Sequence, residues 1–186
     1  MRKVIGFKIS VRFKEIQRRA KKAKVDLAAL SLGDVELQAL ADEVLKAAKP
    51  AVVFDTFSQS DPEQTLLSPM PGLAYSLVLA TLGEGYVKLE AAKPELSAAW
   101  PLVREHALEE TVRFATALLE DEAKTEACEL SPISPLGAPE TLEAAVKKLD
   151  GSKIGVSLVE GRLAPSASAA CSLSWLSKSK AKGKQK

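Results

Sequence analysis

Apolar residues change their spacing several times along the chain, and each change marks an element. From Lys3 to Val11 they alternate through Val4, Phe7, Ile9 and Val11, the period of two of a half-buried strand. Phe13 to Lys24 then reads as a basic helix, with Ile16 and Ala20 one turn apart and Arg18, Arg19, Lys21 and Lys22 on its other faces. Asp34 is placed to cap a helix that runs to Lys49, with Val35, Leu37, Leu40, Val44 and Leu45 as its buried stripe, and Pro50 stops it. Ala51 to Phe57 and Leu73 to Leu82 are dense in β-branched and large apolar residues and read as buried strands. Between them Pro62, Pro69 and Pro71 bracket Leu66-Leu67 in a loop with room for one hairpin strand.

In the second half, Gly83-Glu84-Gly85 turns into a helix through about Ala92, and Pro101 starts a long helix to about Ala123 carried by Leu102, Val103, Leu108, Val112, Ala115 and Leu119. A Ser-Pro-rich loop, a short amphipathic helix, a strand over Ile154 to Leu158, a Val-Glu-Gly turn and a last strand over Cys171 to Leu176 complete the pattern. Strands and helices mix without regular βα alternation. The expected fold class is therefore α+β: a single domain over residues 1–176, with a twisted antiparallel sheet and flanking helices.

Composition sharpens what this domain excludes. With 186 residues, 46% of them apolar, the chain suffices for one compact core. Its 26 basic and 24 acidic residues leave a net charge of +2, which argues against nucleic acid or an anionic membrane as the partner. Lysines at positions 178, 180, 182, 184 and 186 bury nothing, so residues 177–186 read as a disordered Lys-rich tail. Cys128 and Cys171 share no metal-binding spacing, and His106 is the sole histidine, so a structural zinc site lacks ligands. His106 is expected at the surface or the edge of the core. No apolar run is long enough to span a bilayer, and a cytoplasmic protein with reduced thiols is the expectation.

Three segments in fixed order carry a further signal: Glu129-Leu130-Ser131-Pro132-Ile133-Ser134, Gly155-Val156-Ser157-Leu158-Val159-Glu160-Gly161 and Pro165-Ser166-Ala167-Ser168-Ala169. Upstream lie Ala80-Thr81-Leu82-Gly83-Glu84-Gly85 and an aromatic-Asp strand containing Asp55. In this order they resemble the activation (reactivation) domain of cobalamin-dependent methionine synthase, in its short stand-alone form, over nearly the whole chain.

The resemblance implies a domain that presents the methyl group of S-adenosylmethionine to a cobalamin held by a partner, a methionine synthase or other corrinoid protein. It places Asp55, Ser131, Pro132, Glu160 and Pro165 at the cofactor site, with no catalytic residue of the protein's own. The sequence departs from the family pattern at two places. Glu129 stands where the family has its carboxylate-binding arginine, and Ile133-Ser134 where it has Gly-Tyr, so S-adenosylmethionine binding is expected to be weakened or lost. The alternative is a non-catalytic docking or assembly module that retains only the fold.

Overall fold

The computed structural model describes residues 1–178. In chain order the first half comprises β1 (Arg2–Ile5), α1 (Phe13–Ala23), α2 (Asp34–Ala47), β2 (Ala51–Ser58), α3 (Gln64–Leu67), β3 (Ala74–Thr81) and α4 (Gly83–Ala92). The second half comprises α5 (Trp100–Thr125), β4 (Cys128–Leu130), β5 (Ser134–Leu136), α6 (Pro139–Lys148), β6 (Ser157–Val159), β7 (Arg162–Ala164) and β8 (Ser168–Ser177). The main sheet is antiparallel in the order β1-β2-β3-β8-β4, with β5 also paired to β8, while β6 and β7 form a separate hairpin. The protein is an α+β fold in which helices flank a curled antiparallel sheet.

Each face of the sheet buries its own cluster. Val52, Phe54, Val78, Cys171, Leu173 and Trp175 pack beneath α5 on Val112, Ala115, Leu119 and Ala123. On the other face Val53, Tyr75, Leu77 and Leu79 meet Leu142 and Ala145 of α6 and Leu149 just past its end. A third cluster closes one end of the sheet, where Ile16, Leu37, Leu40 and Val44 of α1 and α2 surround Tyr86, Trp100 and Val103. Each such large side chain contributes roughly 2 kcal/mol by leaving water, and the period of two along β2 and β3 supplies residues to both faces. No helix among the described residues is long and apolar enough to cross a membrane.

Several sequence expectations need correction. The first strand ends at Ile5 rather than Val11, because Gly6 takes φ +69 and turns the chain out of the sheet. Leu66-Leu67 lies in the short helix α3, not a hairpin strand. The strand expected over Ile154 to Leu158 does not exist as such: residues Gly151–Ile154 form a 3-10 turn, Gly155 takes φ +71, and only Ser157–Val159 is extended, in the β6–β7 hairpin outside the main sheet. Gly33 rather than Asp34 occupies the cap of α2, and Val35 and Leu45 of its expected buried stripe are exposed. Ser177, assigned to the tail, is the last residue of β8, and the tail from residue 179 lies outside the described residues.

Candidate functional site

The Ser-Pro loop occupies the edge of the main sheet. Leu130 pairs with Trp175 and Ser134 with Ser172, so Ser131, Pro132 and Ile133 stand opposite only Ser174 and Leu173, and the edge bulges by one residue. Ser131 repairs the ladder there. Its backbone N–H donates to the Ser174 carbonyl at 2.9 Å, and its Oγ accepts the Ser174 N–H at 2.9 Å, in place of a main-chain carbonyl. Ser131 is buried, whereas Pro132 and Ile133 project outward. Pro135, with no N–H to offer, protects the same edge from pairing with another chain.

Beyond the bulge, β5 approaches the hairpin. Glu160 (φ +50) and Gly161 (φ +75) form the tight turn between β6 and β7, which suits a left-handed pair with glycine second. Glu160 is exposed at this tip, and Pro165 is buried where the hairpin enters β8. Between the β6–β7 hairpin and β5 lies an open cleft of about 580 Å³, lined by Pro135, Leu136 and Gly137 on one side and Gly161, Arg162 and Ser166 on the other. The first turns of α5 close it with Pro101, Arg104 and Glu105.

Charge in the cleft is sparse. Arg104 is ion-paired with Glu90 at 3.2 Å, and Glu105 approaches Arg19 at 3.5 Å, whereas Arg162 has no ion pair among the described residues. The buried Tyr86 hydroxyl finds no hydrogen-bond partner among the described residues. Burial first and the Glu90 carboxylate second hold it protonated far above the ordinary phenol range. Arg162 was not singled out in the sequence, although it follows the Val-Glu-Gly turn directly; a hairpin turn there fixes the face on which it lies. The cleft offers one free guanidinium, two glycine backbones and an apolar wall, which suits holding a small carboxylate-bearing molecule rather than transforming it.

None of the expected site residues, Asp55, Ser131, Pro132, Glu160 and Pro165, lines this cleft. Asp55 pairs across β2 and β3 with Leu77, Leu77 with Ser172, and Ser172 with Ser134. Three strand spacings therefore separate Asp55 from the β5 edge, about 14 Å. Asp55 instead meets the α-ammonium of Met1 at 2.8 Å and accepts the Thr56 N–H at 3.0 Å. Glu129, opposite Leu176, lies six β8 residues from the partner of Leu136, roughly 20 Å along the strand.

Two other sequence signals have structural explanations. A Cβ on Gly85 would collide with the Ala47 carbonyl oxygen, and the Lys49 N–H donates to the Leu82 carbonyl at 2.8 Å. The C-terminal end of α2 thus packs directly on the start of α4. His106 is buried rather than at an edge, and its Nε2 accepts the Arg12 N–H at 3.1 Å. Burial, with Arg19 secondary, lowers its pKa below the ordinary 6.5. Among the described residues no group of three or more His, Cys, Asp or Glu is placed to hold a metal ion. Compared with protein-family models and with curated proteins, the chain matches none of either.

Proposed function

We propose that this chain is an accessory domain of cobalamin-dependent methionine synthesis, docking on a separate corrinoid protein in the cytoplasm and binding S-adenosylmethionine weakly or not at all. One observation carries the reading: two of the three C-terminal segments behind the resemblance, through Gly161 and through Ser166, Ser168 and Ala169, border a single cleft, and the Ser-Pro segment reaches it by way of the strand that follows. The strand after the Ser-Pro loop, the Val-Glu-Gly turn and the Pro165–Ala169 approach to β8 supply Pro135 to Gly137, Gly161 to Leu163, and Ser166 with Ser168 and Ala169.

The residues present fit S-adenosylmethionine only in part. At about 580 Å³ the cleft is large enough, since pockets for such molecules run roughly 300–1,000 Å³. Arg162 suits the ligand's carboxylate, and Glu105 its positive charges. Among the described residues no aromatic side chain lines the cleft, so they give the adenine nothing to stack on. Asp55 and Glu129 lie too far away to contribute.

Calorimetric titration with S-adenosylmethionine, paired with binding to a cobalamin-loaded methionine synthase that lacks its own activation domain, tests the proposal. The expected result is complex formation with the corrinoid protein and, if any heat of S-adenosylmethionine binding is seen, its loss in Arg162→Glu. No complex with the corrinoid protein would reject the proposal. Micromolar S-adenosylmethionine binding unaffected by Arg162→Glu would show that the site lies elsewhere.

A further inference from the structure

At the opposite end of the sheet, β1 and the chain that follows it face the C-terminal turn of α2 across a second cleft, of about 740 Å³. Its lining combines two properties, uncompensated positive charge and an exposed apolar floor. Lys3, Lys8, Lys49 and Lys153 surround it, and among the described residues no carboxylate lines it. Lys3, Lys8 and Lys49 have no ion pair among the described residues, and Lys153 has only Asp150 at 3.6 Å.

Between these ammonium groups the surface is apolar, and two large side chains stand out of the fold rather than in it. Ile5 is 62% exposed and Leu45 is 40% exposed. Leu45 belongs to the apolar stripe of α2 by sequence, yet it faces this cleft instead of the core. The outer side of β1 is also an edge of the main sheet, which leaves main-chain groups available to an extended partner.

We propose that this cleft is a docking site for an acidic polypeptide segment of a partner protein, anchored by a large apolar side chain over Ile5 and Leu45. Charge complementarity identifies the occupant: uncompensated ammonium groups around an apolar floor repel one another, and carboxylates flanking an apolar anchor remove that repulsion while covering the floor. The concave shape favours a polypeptide over a lipid surface, because a flat bilayer cannot follow the floor between the lysines. The inference stands whether or not the partner is a corrinoid protein.

The test is selection of phage-displayed random twelve-residue peptides on the full chain, followed by fluorescence anisotropy of the enriched peptides. Enrichment is expected for peptides combining Asp or Glu with Leu, Ile or Phe, with affinity that falls as salt rises. The exposed double variant Lys3→Glu/Lys49→Glu should weaken binding by roughly tenfold or more, and Leu45→Ser should weaken it without removing the salt dependence. Unchanged circular dichroism and urea midpoints would show that both variants fold. Absence of enrichment, enrichment of neutral or basic peptides, or undiminished binding to the charge-reversed variant would overturn the proposal. Lysine-dependent binding to phosphatidylglycerol vesicles in place of peptide would overturn it as well.

Discussion

A single hydroxyl holds the sheet edge together at Ser131, where the Oγ receives the Ser174 N–H that the bulge would otherwise strand. Ser174 is fully buried, so Ser131→Ala leaves that donor without a partner or water. Such an orphan costs about 1–3 kcal/mol, and urea denaturation of the variant should show a loss in that range. His106 permits a test by pH. It is held neutral, with its Nε2 accepting from Arg12, and its folded pKa lies below 6.5. The unfolded chain therefore binds the extra proton first: the contribution of His106 is fully present above pH 6.5 and is lost as pH falls below that value. Urea midpoints from pH 7.5 down to pH 5 should drop more steeply in the wild type than in His106→Gln, and equal slopes would contradict this.

Where two helices cross, packing reverses an ordinary preference. Replacing a helical glycine by alanine usually gains about 1 kcal/mol, yet at Gly85 the added methyl meets the backbone oxygen of Ala47, which has no rotamer to yield. Overpacking of this kind costs roughly 1–3 kcal/mol, so Gly85→Ala should lower the urea midpoint, and a rise would disprove the crossing. The same contact shows what the sequence could convey at this scale. β2 and β3 were legible because β-branched and aromatic residues fill both faces of a central strand. The strand expected at Ile154 to Leu158 was not, because Gly155 takes φ +71 and interrupts an otherwise strand-like run. β4 and β5 are three residues each, too short for alternation to register, and β5 contains Pro135. Leu45 and Val44 look alike in the helical pattern, and only the placement of α2 exposes one and buries the other. The cleft near the hairpin was legible only in part: Gly161, Ser166, Ser168 and Ala169 belong to segments that stood out in the sequence, whereas Arg162, the β5 wall and the separation of Asp55 from Ser134 depend on strand order.

At the scale of the whole molecule, the two thiols report on how closed the fold is. Cys128 and Cys171 are buried and unpaired, and burial pushes the Cys171 thiol up to about 12. Ellman's reagent should leave the native protein almost unreacted and titrate two thiols in denaturant; rapid reaction of the native form would contradict the packing of β8 beneath α5. That strand governs more than thiol access. β8 enters the middle of the sheet, between β3, some ninety residues earlier, and the β4–β5 edge. Until Ser168–Ser177 leaves the ribosome, β3 and β4–β5 have no shared neighbour, and Val78 and Leu79 lack the strand that flanks them. A growing polypeptide adds about 5–20 residues per second, so the nascent chain spends seconds with two open strand edges facing the cellular milieu. Chaperone demand should therefore concentrate in that interval, and ribosome-stalled chains ending before Ser168 should be protease-sensitive and aggregation-prone, whereas chains whose β8 has fully emerged should resist both.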